Sequence, residues 1–167
     1  MTRNIVLIGL SGCGKSTLAP IIAEKLGFSL VDTDAEIVKK AGMSISRIFS
    51  EKGETAFREM ETAEAYRCAA LSGTVIATGG GMVLKEENMR ALSETGLVVF
   101  LDRSPEDIIG GDLSDRPLLA ADRQKIFRLY DERIDLYRKY SELTVQNSGD
   151  ITTVADTLIA KIAEALS

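Results

Sequence analysis

An apolar run, Asn4-Ile5-Val6-Leu7-Ile8, stops at a glycine and opens into Gly9-Leu10-Ser11-Gly12-Cys13-Gly14-Lys15-Ser16. That octapeptide fits G-x-x-x-x-G-K-[ST], and it sits between a predicted buried strand and a predicted helix. Few features restrict a chain so tightly. The glycines let the backbone turn sharply so that the N–H groups of Gly12, Cys13 and Gly14 converge, and the following helix adds its positive N-terminal end. Such a cradle holds the phosphates of a nucleotide. Lys15 then reaches the β- and γ-oxygens, Ser16 offers a hydroxyl to Mg²⁺, and Thr17 contacts the α-phosphate. A ligand-free glycine turn is the plain alternative, and the full match at the first strand of a βαβ chain argues against it.

Further short apolar runs at Ser29–Val31, Thr74–Ala77, Leu97–Leu101 and Leu143–Val145 predict four more strands, separated by helix-length sequence. Helices are expected at Lys15–Leu26, Ala35–Lys40, Ile45–Phe49, Thr55–Leu71, Glu86–Leu92, Arg123–Tyr140 and Thr152–Leu166. The repeated βαβ pattern predicts an α/β fold with a parallel sheet, and 167 residues suit a single domain, 1–167. Pro20 falls inside the first helix, where it removes a backbone donor and is expected to kink or loosen it. The stretch from Gly110 to Asp122 is turn-rich, lacks periodicity and reads as mobile.

The net charge of −5 opposes a broad grip on nucleic acid or an anionic membrane. With no histidine in the chain, any general base must be a carboxylate or a lysine. Two cysteines, Cys13 and Cys68, cannot build a disulfide framework and read as reduced cytosolic thiols. No apolar run approaches the roughly 20 residues that span a bilayer, and Ile5 to Leu10 is too short and wrongly flanked for a signal peptide. A cytoplasmic monomer is the expectation.

The loop leaves the phosphate acceptor open, because the same cradle serves hydrolases, motors, switches and kinases. Asp32-Thr33-Asp34 follows the second strand, at the carboxyl end where ligand sites of α/β sheets collect. Asp32 can hold the metal through a water while Asp34 accepts the proton of a substrate hydroxyl; a helix N-cap is the competing reading. In Phe57-Arg58-Glu59-Met60-Glu61, Arg58 and Glu61 lie three apart on one helix face, where a carboxylate can orient a guanidinium toward a ligand; an ordinary surface ion pair is the alternative. Gly79-Gly80-Gly81 after the third strand gives a backbone that a small ligand can approach, beyond what a simple reversal needs.

Taken in order with Arg116-Pro117-Leu118-Leu119, these motifs resemble the shikimate kinase family from about Asn4 to Tyr137. The resemblance implies a three-layer α/β/α P-loop NTPase fold with a five-stranded parallel sheet of order 2-3-1-4-5. It also implies ATP and Mg²⁺, with phosphate transferred to the 3-hydroxyl of shikimate. By similarity, Arg58 and Arg133 would bind the substrate carboxylate, Asp34 the ring hydroxyls as base, and Gly80 would donate its backbone N–H. Arg116 would close over the phosphates from a lid at about residues 112–122 and exclude water. The helical region at about residues 33–71 would bind the acceptor, with Phe49 and Phe57 as its apolar wall. Arg138 is the alternative to Arg133 should the register of that helix differ.

The chain departs from the family where the adenine is packed. By spacing, Ile109 and the turn Asn147–Asp150 occupy places where family members often carry arginine or another packing residue, so the adenine pocket is expected to be looser or packed by Ile109 instead. Two rival readings are another small-metabolite P-loop kinase, gluconate-like or acting on nucleoside monophosphates, and a nucleotide-binding regulatory module without catalysis. Arg58, Asp34 and the glycine triplet oppose the first; intact Lys15, Ser16, Asp32, Asp34 and Arg116 oppose the second.

Overall fold

The computed structural model describes residues 1–111 and 123–167. Five parallel strands, β1 (Asn4–Ile8), β2 (Ser29–Asp32), β3 (Thr74–Ala77), β4 (Gly96–Asp102) and β5 (Leu143–Gln146), form one sheet of order β2-β3-β1-β4-β5. β1 is central, with Val6 opposite Ile76 of β3 on one side and Val98 of β4 on the other. Among the described residues, the helices are α1 (Lys15–Leu26), α2 (Thr33–Ala41), α3 (Ile45–Lys52), α4 (Glu54–Ala69), α5 (Glu86–Thr95), α6 (Pro105–Ile109), α7 (Arg123–Tyr140) and α8 (Ile151–Leu166).

Continuous apolar strands are required here because helices cover both faces of the sheet. Ile5 and Leu7 of β1 and Leu97, Val99 and Leu101 of β4 point into one core with Leu18 and Ile22 of α1 and Leu158 and Ile162 of α8. Their neighbours Val6, Ile8, Val98 and Phe100 point the other way, onto Ala65 and Cys68 of α4, Met89 of α5 and Tyr137 of α7. The period-2 alternation thus separates two cores across one sheet. A third, smaller cluster, Ile37, Ile48 and Phe57, joins α2, α3 and α4.

Several boundaries differ from expectation for local reasons. α2 starts at Thr33 because Asp32 caps it, its Oδ1 accepting from Ala35 N at 3.1 Å. α6 escaped the periodicity reading because it is only five residues long, although Ser104 caps it and Pro105 takes its first turn. α1 runs through Pro20 to Leu26 without a break. Among the described residues no helix is long and apolar enough to cross a membrane.

Candidate active site

The ends of β1, β2 and β3 deliver the phosphate loop, Asp32-Thr33-Asp34 and Gly79-Gly80-Gly81 to the same edge of the sheet, beside the point where strand order reverses around β1. Thr78 extends the pairing past β3, with N and Oγ1 both donating to Leu7 O at 3.2 and 2.8 Å.

In the loop, Gly14 has φ 105° and leads into α1, which has no side-chain cap. The first amides of a 12-residue helix are therefore directed at the loop's concavity. Lys15 is buried and folds back over the loop. Its Nζ donates to Gly9 O at 2.5 Å and Leu10 O at 3.1 Å. Ser16 Oγ lies 3.3 Å from Asp32 Oδ2. Asp32 thus serves both readings offered by the sequence, one carboxylate oxygen capping α2 and the other meeting the Ser16 hydroxyl. A hydroxyl and a carboxylate are the hard oxygen donors that suit Mg²⁺.

The glycine triplet gathers the acceptor residues one by one. A Cβ at Gly79 would stand 2.5 Å from Asp34 Oδ1; one at Gly80 would stand 3.4 Å from Arg133 Nη1; one at Gly81 would stand 2.7 Å from Arg58 Cζ. Three consecutive residues without side chains leave room for a carboxylate and two guanidiniums. Thr33, between the two aspartates, is buried, and its Oγ1 accepts from Gly79 N at 3.2 Å. Tyr137 stacks on Phe100 at 5.1 Å and donates its hydroxyl to Gly80 O at 2.7 Å. That contact sets the register of α7, so Arg133, one turn earlier, faces the triplet while Arg138 is exposed. Burial raises the Tyr137 hydroxyl above its ordinary range, against the opposing charge of Arg133, keeping it a donor.

Arg58 is 15% exposed, and its Nη1 donates to Glu61 Oε1 at 2.5 Å. Its guanidinium lies 5.4 Å from the ring centre of Phe57 and 6.0 Å from that of Phe49, and the two rings are 4.9 Å apart. The apolar wall expected from sequence is thus beneath the guanidinium. Arg58 Nε is buried without a hydrogen-bond partner, the mark of a group held for something else. Burial pushes the Glu61 carboxyl up from its ordinary value, the Arg58 hydrogen bond and charge oppose this, and the charges of Asp34 and Arg133 act on it in opposite senses. Four ionisable groups therefore share one electrostatic site.

Arg116, and the whole expected lid from 112 to 122, lies outside the described residues. Ile109 does not line the pocket beside Gly14 and Thr17. It joins the core beneath α7, with Leu129 and Ile134 nearby in the same cluster. The Asn147 turn does reach the loop: Asn147 Nδ2 donates to Cys13 O at 2.7 Å, and Asn147 N donates to Asp102 O at 2.7 Å. From sequence, Thr33 and Asn147 were named only as members of the Asp32-Thr33-Asp34 run and the Asn147–Asp150 turn, and Tyr137 only as the end of the family resemblance. Tyr137 alone had a signal, its spacing of four from Arg133.

The family model for shikimate kinase matches residues 11–163. A shikimate kinase of Clostridium botulinum (strain Eklund 17B / Type B) is 43% identical over 155 residues, covering 92% of this chain and 93% of that one. A solved shikimate kinase from Acinetobacter baumannii, in complex with shikimate, superposes with a TM-score of 0.88 at 33% identity, covering 99% of this chain and 93% of that one. A gluconokinase from Sinorhizobium meliloti 1021 reaches a TM-score of 0.59 at 17% identity, with 98% of this chain and 93% of that one covered. That likeness shows the fold alone.

Proposed function

The chain belongs to the shikimate kinase family, an ATP-dependent kinase acting on shikimate, and from that premise we propose how its residues divide the work. The observation that carries the assignment is the convergence of Asp34, Arg133 and Arg58 on Gly79, Gly80 and Gly81. A negatively charged acceptor bearing hydroxyls fits that arrangement. The two guanidiniums take its carboxylate and Asp34 takes a ring hydroxyl.

The phosphates of ATP lie on the loop's amides, from Gly12 to Thr17, with Lys15 leaving its internal carbonyl partners to meet the β- and γ-oxygens. Ser16, and Asp32 through a water, would hold Mg²⁺, which would neutralise phosphate charge when bound. Asp34 accepts the proton of the 3-hydroxyl as that oxygen bonds to phosphorus and the bridging bond to ADP breaks. The Gly80 N–H positions the acceptor, and its residue is held from the carbonyl side by Tyr137. Arg116 closes over the phosphates and excludes water, which would otherwise compete as acceptor. Buried, unpaired thiols at Cys13 and Cys68 suit a reducing compartment, and we assign the reaction to a cytoplasmic monomer.

A coupled ADP-release assay with ATP and Mg²⁺ tests this. Turnover is expected with shikimate and not with gluconate, nucleoside monophosphates or without acceptor. ADP release driven by another acceptor would overturn the specificity and keep the kinase. Silence with every acceptor would favour a nucleotide-binding module.

A further inference from the structure

α4 carries two buried glutamates, Glu61 and Glu64, whose side chains are 1% and 3% exposed. Glu61 takes Arg58. Glu64, three residues on, has no part in the phosphoryl transfer, yet both of its oxygens are engaged. Its Oε1 accepts from Lys40 Nζ of α2, and its Oε2 accepts from Arg67 Nε at 2.9 Å, with Arg67 Nη2 at 2.8 Å. The same Arg67 Nη2 lies 4.0 Å from Glu36 Oε2 of α2. Burial pushes the Glu64 carboxyl up, but hydrogen bonds from Lys40 and Arg67, with their charges, outweigh it and hold the group below its ordinary value.

A buried carboxylate between two cations is a poor way to add stability, since apolar residues of the same volume often serve as well. What it adds is geometry. Glu36 and Lys40 lie four apart on one face of α2, in its first and last turns, so the two contacts fasten that helix to α4 at both ends. The apolar cluster of Ile37, Ile48 and Phe57 between the helices is non-directional and leaves the axial position of α2 open. α2 carries Asp34 two residues before Glu36, and α4 carries Arg58 less than two turns before Glu64. How α2 lies on α4 therefore sets the distance between the group that takes the proton and the group that takes the carboxylate.

We propose that Glu64 is a positioning residue: by clamping Lys40 and Arg67 it holds α2 against α4 and so keeps Asp34 within reach of the acceptor hydroxyl. It acts through Asp34 and not on the acceptor itself. This rests on the reading of Asp34 as the base.

The test separates positioning from support of the fold. Glu64→Gln removes the charge, Lys40→Met cuts the same tie at a side chain 53% exposed, with less risk to folding, and Lys40→Arg keeps a cation there. Each is made in the wild-type and Asp34→Asn backgrounds, and kcat, acceptor KM and ADP affinity are read below the melting midpoint. In the wild-type background Glu64→Gln and Lys40→Met are expected to lower kcat roughly tenfold, with acceptor KM within about threefold and ADP affinity within about twofold. Lys40→Arg should keep kcat within about twofold of wild type. On Asp34→Asn neither cut should lower kcat by more than about twofold, because the group being positioned is already gone. A merely structural role gives the same fractional loss on both backgrounds, and that result overturns the proposal, as does unchanged kcat in both cut variants. Asp34→Asn turning over at the wild-type rate overturns the base reading beneath it, and the proposal with it.

Discussion

A Cβ on Gly79 would stand 2.5 Å from Asp34 Oδ1 and 3.1 Å from its Cγ. The place of a side chain on the strand-end glycine is taken by the carboxylate proposed to receive the acceptor's proton. Gly79→Ala therefore tests the position of Asp34 without altering Asp34. Since Gly79 is not among the glycines of positive φ, the substitution introduces crowding rather than backbone strain. A displacement of about 1 Å at a reacting group costs up to about a hundredfold in rate. A fall in kcat of at least tenfold with ADP affinity retained is expected, read by steady-state kinetics and titration. Unchanged kcat would remove Asp34 from the reaction.

Asp34→Asn keeps the shape and removes the base. General-base contributions are about 10² to 10⁴ in rate, so kcat should drop within that range. ADP binding should stay near wild type, because the loop amides and Lys15 are untouched. If single-turnover transfer proceeds at the wild-type rate, the proton goes elsewhere.

Arg58→Ala should act on the acceptor alone. Removing one partner of a buried, hydrogen-bonded charge pair costs about 2–5 kcal/mol, corresponding to about thirtyfold or more in acceptor KM. The Michaelis constant for ATP reports the loop and should move little. An acceptor KM within twofold of wild type would mean that the carboxylate binds somewhere other than over Phe49 and Phe57.

How much of this site could be read from the chain depends on how local each signal is. The loop, Asp34 and the triplet were legible because each is a short run whose residue types the chemistry demands. The central strands were legible because both faces are buried, so apolar residues are continuous through β1 and β4. The contact of Asn147 with the loop was not legible, since its partner Cys13 lies 134 residues away in sequence. Thr33 likewise reads as a capping residue until Gly79 N is found on its hydroxyl. Ile109 was ambiguous because spacing places a residue along a helix but does not say which core that face of α6 meets.

Glu61 makes the site's electrostatics measurable as stability. Its carboxyl is raised above 4.5, its value in an unstructured chain, with burial as the leading cause. Between 4.5 and the raised value the native state binds more protons than the unfolded state. The stability contributed by Glu61 is therefore full below 4.5 and is lost as pH rises through the native value. Glu61→Gln cannot titrate and keeps a neutral hydrogen-bonding group beside Arg58. The difference in melting temperature, wild type minus Glu61→Gln, should be most favourable to the wild type at about pH 4 and decline steadily toward about pH 7. Carboxylates not coupled to Glu61 cancel in that difference. A difference that instead grows with pH would mean that the Arg58 ion pair outweighs the burial of Glu61, leaving the carboxylate charged in the resting site.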